Sequence, residues 1–375
     1  MTDTVVFASE AEAVVCQDGL ISMIGSLASM SLPAGVQTVD VTGLLVQPGL
    51  IDVQINGGFG HDFTAEPASI WEVGSSLPRF GVTSFLPTVV TSAADRREEM
   101  LAVLTAGPPA GYRGAMPLGA HFEGPFISPQ RSGAHDPEFL RVPREAGRDV
   151  ASWSRDTGVR MVTLAPELDG ALDLIREFAG RGVVVSAGHS DATSEEAVAA
   201  FDAGATYATH LFNAMSPLGH REPGLPGAAL ADPRVTIGLI PDGVHVHPDV
   251  VRIATHAAGT DRISIVTDAT AALGMPFGRY VLGGRDVMLD ETSVRLADDG
   301  RLAGSALTAH QALRNFHSMT RCEPTEAIAA MTRVPARLLG LPDRGEIQVG
   351  GRADFTIWTA QLELVDTYVG GERWH

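Results

Sequence analysis

The chain of 375 residues contains no lysine, and all 27 of its basic residues are arginine. That absence excludes a Schiff-base lysine, a pyridoxal-phosphate attachment, a Walker-type phosphate lysine and a carboxylated lysine bridging two metals. Cysteine is nearly missing: Cys16 and Cys322 stand far apart, which argues against a disulfide framework and fits a reducing cytoplasm. No stretch approaches the roughly 18 uninterrupted apolar residues of a membrane span. Positive charge is in deficit, with 45 acidic residues and a net charge of −18. Nucleic acid and anionic membrane are therefore poor partners, and an anionic substrate would need a local basic pocket. The opening "MTDTVVFASEAEAVV" lacks the basic start of a secretory signal. Internal repeats and low-complexity tracts are absent too.

What is present is a regular series of apolar, β-type runs: 49–55, 82–88, 117–123, 159–167, 183–189, 206–212, 235–243 and 263–269. Most of the gaps hold helix-like segments, such as 171–182 and 193–204. The second opens on Thr193 before "SEE", an N-cap followed by acidic first-turn residues. Eight strands alternating with helices predict a parallel sheet, most simply a closed (β/α)8 barrel. Near-continuous apolar strands suit a sheet covered on both faces. Residues 1–47 and 343–375 read instead as short β runs with turns, expected to pair into one small β-sandwich domain beside a barrel spanning 48–342. A β insertion at 280–305 follows the eighth strand, and helices are expected at about 308–319 and 324–339.

In such a barrel, chemistry gathers at the C-terminal strand ends. Those ends carry Gln54 and Asn56, Glu123, Glu167, His189, His210, Asp242 with His245, and Asp268. Any one of these polar residues could simply mark a strand leaving the core, and a lone His189 or His210 would read as a hydrogen-bonded core histidine. Two histidines, a glutamate and an aspartate converging on one rim are harder to explain that way. Glu123, His189 and His210 form a three-ligand set, two imidazoles and a carboxylate with room for water, the pattern of catalytic zinc sites. Iron, cobalt or manganese would also accept it. His121 shares the face of Glu123 one layer deeper and reads as structural. Asp268 ends the last strand, where a carboxylate beside a metal can take a proton from water and pass it to a leaving group.

Taken together, these residues resemble the amidohydrolase superfamily, and within it the N-acetylglucosamine-6-phosphate deacetylase family. The carrying stretches are "PGLIDVQINGGFGHDF" (48–63), "GAHFEGPFISPQRSGAH" (119–135), "SAGHSDAT" (186–193), "THLFNAMSPLGHREPGLPGAAL" (209–230), "PDGVHV" (241–246), "VTDAT" (266–270) and "GRLAGSALT" (300–308). "GRADFTIW" near the C-terminal end signals only the superfamily. The resemblance implies one divalent metal per subunit on Glu123, His189 and His210, with Asp268 as general base and then acid. It implies that His135, beside Ala134, orients or polarises the acetamido carbonyl. Asn213 and Ala214 would contact the sugar phosphate, and Leu302, Ala303 and Gly304 would line the pocket. Arg221 and His245 would bind phosphate from the neighbouring subunit, so the resemblance implies a homodimer.

One departure concerns the first strand. Many superfamily members carry His-x-His there, whereas this chain has Gln54-Ile55-Asn56. Both amides share a face of the strand, and amides are poor transition-metal ligands beside imidazole. With no lysine to bridge, a single tightly held metal is expected, and the two amides line the pocket or hydrogen-bond its ligands. A branch of the same family shows this pattern. Two alternatives stay open: a deacetylase of N-acetylgalactosamine 6-phosphate or another N-acyl substrate, and a metal-free scaffold on the same fold.

Overall fold

A strand with no polar flank must be covered on both sides, and all eight barrel strands are buried at every position or at all but one. The computed structural model describes residues 4–9, 12–30, 32, 36–291 and 293–375. Within it, eight parallel strands form the barrel: β1 (Leu50–Ile55), β2 (Val82–Val90), β3 (Ala120–Glu123), β4 (Val159–Leu164), β5 (Val184–Ala187), β6 (Ala205–Ala208), β7 (Thr236–Leu239) and β8 (Ile263–Ile265). The ladder runs without interruption from β1 to β8. Closure of β8 onto β1 is thinner, resting on one bridge between Ile55 and Ala269.

Helices α1 (Ile70–Ser76), α2 (Ala94–Ala106), α3 (Ala171–Gly180), α4 (Ser194–Ala203), α5 (Gly224–Ala231) and α6 (Pro248–Ala258) connect successive strands. At α4 the expected cap is a full capping box: the Thr193 hydroxyl accepts from Glu196 N at 3.2 Å, and Glu196 accepts from Thr193 N at 2.8 Å. Between β3 and β4 the chain makes 3-10 turns begun by Pro129, Pro137 and Pro143.

After β8 come α7 (Ala309–Thr320), α8 (Pro324–Ala329) and α9 (Arg333–Leu339). The single helix expected over 324–339 is thus two helices. The carbonyls of Ala330 and Met331 are turned away to accept from Ile265 N at 2.9 Å and Ile51 N at 2.7 Å. Pro335 has no N–H to give Met331 O, so a regular helix cannot run through it, and residues of β8 and β1 supply donors in its place.

The chain ends form two packed sheets. One holds Thr4–Ala8, Glu12–Gln17, Leu20–Ser26 and Gln37–Asp40; the other holds Leu45–Pro48, Phe355–Trp358, Leu364–Val369 and Glu372–Arg373. Their common core includes Phe7, Cys16, Ile21, Phe355 and Tyr368, with the Phe7 ring 4.9 Å from Phe355 and 4.7 Å from Tyr368. The insertion is a three-stranded meander, Gly278–Leu282, Arg285–Leu289 and Val294–Leu296. Its apolar face packs on Val90 and Ala303, which lays residues 302–304 over the barrel mouth. Among the described residues no helix is long and apolar enough to cross a membrane.

Candidate metal centre and active site

Glu123 is the last residue of β3, and His189 and His210 each stand two residues beyond their strands, β5 and β6. Both histidines leave the strand with positive φ, +47° and +25°, as does Asp268 after β8 at +50°. Phe212 and Ala214 do the same nearby. Five of the nine non-glycine residues described with positive φ therefore lie around one cavity. Such backbone is costly, and it turns side chains inward where a regular strand end would splay them.

The result is a tight cluster of donors. His210 Nε2 lies 3.2 Å and His189 Nε2 3.4 Å from Glu123 Oε1, and the two Nε2 atoms are 3.1 Å apart. Ligand atoms bonded at 2.0–2.1 Å to a tetrahedral ion stand about 3.3 Å from one another, so this spacing is that of three ligands sharing one ion. The donor chemistry agrees. His189 Nδ1 meets the Arg131 carbonyl at 3.0 Å, which fixes its proton there and leaves the Nε2 lone pair facing the cluster. Glu123 is buried, and burial would raise its pKa; His189 and His210 outweigh that and hold it well below the usual carboxylate range. A charged carboxylate and a bare imidazole nitrogen in a buried site call for a cation.

Around this cluster the amides of β1 act as hydrogen-bond donors. Gln54 Nε2 donates to Glu123 Oε1 at 2.9 Å and to Asp268 Oδ1 at 3.2 Å, while Thr209 Oγ1 donates to Gln54 Oε1 at 2.6 Å and sets the amide's orientation. Asn56 Nδ2 donates to Asp268 Oδ1 at 2.7 Å. Both amides engage one oxygen of Asp268 and leave the other to the cavity. Burial lifts the Asp268 pKa, and the Glu123 charge adds to the rise, moving the group toward a useful base. His135 lies beside them, its Nε2 3.3 Å from His189 Nε2. Thr91 N donates to His135 Nδ1 at 3.3 Å, which puts the ring proton on Nε2. Burial first, then the neighbouring His189, pushes the His135 pKa down to about 3, so the ring is a neutral donor.

The family is legible at this point in comparisons with known proteins. Residues 45–373 match the family model described as amidohydrolase family. This chain belongs to the amidohydrolase family. The N-acetylglucosamine-6-phosphate deacetylase of Danio rerio is 39% identical over 347 residues, 89% of this chain and 85% of that protein. An N-acetylgalactosamine-6-phosphate deacetylase of Escherichia coli O157:H7 is 38% identical over 357 residues, 95% and 92% of the two chains. Among solved structures, a variant of the Mycobacterium smegmatis N-acetyl-D-glucosamine-6-phosphate deacetylase, in complex with N-acetyl-D-glucosamine 6-phosphate, superposes with a TM-score of 0.87 at 33% identity, covering 99% of both chains.

The amidohydrolase site opens into a cavity of about 380 Å³. Ala134, His135, Asn213, Ala214, Leu302, Ala303 and Gly304 line it with the metal cluster, Asn56 and Asp268. His245 lines the cavity of its own chain. Asp242 holds it there, accepting from His245 Nδ1 at 2.6 Å and from His245 N at 2.8 Å. Arg221 is exposed, its Nη1 2.7 Å from His220 Nε2, and does not line the cavity. Two strand-end residues prove to be supports. Asp242 carries His245, and Glu167 accepts from Ser190 Oγ and Asp191 N, both at 2.7 Å, behind His189. His121 lies between Thr88 Oγ1 at 3.2 Å and Thr163 Oγ1 at 2.8 Å, beneath the cluster. Sequence reasoning did not identify Gln130, Arg131, Phe212 or Arg301, which also line the cavity. Arg131 was within reach, since it sits inside the "SPQRSGAH" stretch and a cation is informative in so acidic a chain.

Proposed function

We propose that this amidohydrolase hydrolyses the acetamide of N-acetylglucosamine 6-phosphate, releasing acetate and glucosamine 6-phosphate. The observation that carries the reading is the packing of three donor atoms within 3.1–3.4 Å of one another, with Asp268 tied to Glu123 through the single amide of Gln54. Glu123, His189 and His210 would hold one divalent ion, zinc by preference for two imidazoles and a carboxylate, with iron, cobalt or manganese also compatible. Such an ion supplies Lewis-acid polarisation of water and of the substrate carbonyl. Asp268 accepts the proton of the attacking water as the new C–O bond forms. His135 donates its Nε2 proton as a hydrogen bond to the carbonyl oxygen. Asp268 then returns the proton to the departing nitrogen as the C–N bond breaks.

Asn213, Ala214, His245 and the 302–304 loop would hold the sugar phosphate at the other end of the cavity. Arg221 lies on an exposed loop outside its own cavity, which suits donation of its guanidinium fork to the phosphate in a second subunit of a homodimer. A soluble cytoplasmic enzyme fits the two unpaired cysteines. The Escherichia coli O157:H7 relative favours a second reading, with N-acetylgalactosamine 6-phosphate as substrate; it needs the same metal set and changes only the sugar contacts. A metal-free scaffold would have lost ligands, and all of them are assembled. Acetate release from both sugar phosphates, measured before and after chelation with metal stoichiometry recorded, tests these readings. Release that chelation leaves unchanged refutes the metal-dependent reading, and a preference for the galacto substrate replaces the first reading with the second.

A further inference from the structure

Asp52 is a buried carboxylate that the reaction above does not use. It lies on β1, fully inaccessible to solvent, and forms no salt bridge among the described residues. Isolated burial of that kind is expensive, and it pushes the Asp52 pKa up to about 7. Three donors meet it. Gln54 N reaches Oδ1 at 3.1 Å; Thr267 N and Thr267 Oγ1 reach Oδ2 at 3.2 Å and 2.7 Å. These contacts fall on the one weak seam of the barrel. Strand β8 ends at Ile265, and β1 and β8 share only the Ile55–Ala269 bridge. At Thr267 the partner across the seam is thus a side chain, in place of a strand carbonyl. The next residue is Asp268, held with φ at +50°, and its amide donates to Gln54 O at 3.0 Å. Gln54 in turn presents its side-chain amide to Glu123 and Asp268.

We propose that Asp52 is a positioning residue for the hydrolysis: its carboxylate clamps Thr267 and Gln54 across the barrel seam and so fixes Asp268 against the metal cluster. This rests on Asp268 being the proton carrier. The clamp acts through two neighbours of the reacting groups and touches no substrate. Its loss leaves the three metal ligands on β3, β5 and β6 in place and lets Asp268 drift.

The test compares four variants of the metal-loaded enzyme with wild type for kcat, KM, bound metal and thermal midpoint. Thr267→Val keeps the shape and removes the 2.7 Å bond; kcat should fall about tenfold with KM changed less than about threefold and metal content intact. Thr267→Ser restores the hydroxyl and should return kcat to near wild type. Asp52→Asn faces Thr267 with a donor and should lose about 100-fold in kcat. If Asp52→Asn does not fold, the Thr267 pair still decides. The clamp is overturned if Thr267→Val and Thr267→Ser behave alike, or if kcat falls only in step with bound metal or folded fraction. Asp268→Asn is the fourth variant. An active Asp268→Asn enzyme overturns the assignment of Asp268 and this inference with it; an inactive one beside wild-type rates for Thr267→Val and Asp52→Asn overturns the clamp alone.

Discussion

Replacing Asp268 by asparagine changes one atom and removes a base. The surroundings tolerate the swap. Asn56 Nδ2 at 2.7 Å and Gln54 Nε2 at 3.2 Å both donate to Oδ1, and an asparagine oxygen accepts those bonds in the same place. Asparagine also adopts positive φ readily, and the backbone stays pinned by Ser305 N donating to Asp268 O at 2.8 Å. The new amide nitrogen faces the cavity and cannot take a proton from water. A positioned general base is worth roughly 100- to 10,000-fold in rate, about 3–5 kcal/mol of barrel-mouth transition-state stabilisation. We therefore expect kcat to fall by that factor, with KM and bound metal close to wild type. Thermal stability should hold or rise, because burial disfavours the charged Asp268 carboxylate and the amide carries no charge. Acetate release, metal analysis and a melting curve on the same preparation supply all three readouts. A fall in kcat under tenfold, or one matched by metal loss, refutes the assignment of Asp268 as base.

Three further outcomes follow from the same geometry. Thr209→Val removes the 2.6 Å bond that orients Gln54; it should cost about 1 kcal/mol of stability and reduce kcat several-fold, read by chemical denaturation and initial rates. His121 is buried and neutral, its pKa pushed by burial from 6.5 down to about 4. Its unfolded form binds a proton that the folded form refuses, so the stability it contributes is full above pH 6.5 and is lost as pH falls toward 4. That loss amounts to at most about 3 kcal/mol, and urea titrations of metal-stripped wild type and His121→Gln at pH 7 and pH 4.5 should show a steeper decline for wild type. Arg221→Ala should raise KM for the 6-phosphate substrate about tenfold while leaving turnover of unphosphorylated N-acetylglucosamine unchanged; equal effects on both substrates would remove Arg221 from phosphate binding.

Much of the fold and of the metal cluster was legible in the sequence. Apolar runs marked the strands because a strand covered on both faces has no polar positions to spare. Glu123, His189, His210 and Asp268 stood out because each interrupts such a run where a barrel opens to solvent. The division of 324–339 had a sign in Pro335, which has no N–H to give the Met331 carbonyl; what the sequence did not show is that Ile265 and Ile51 of the barrel strands supply donors to Ala330 and Met331 instead.

Local pattern alone determined the alternation of strand and helix, the β character of both chain ends, and the identity of the donors at the barrel rim. Tertiary structure alone decided how those donors meet. His245 reaches the cavity because Asp242 holds it, Gln54 bridges two carboxylates because Thr209 turns its amide, and Asp52 meets Thr267 across a seam although the two lie 215 residues apart in the chain. Such contacts depend on register, backbone twist and the direction of single polar atoms. Periodicity in a sequence records which face a residue takes, and carries no record of what waits on the other side.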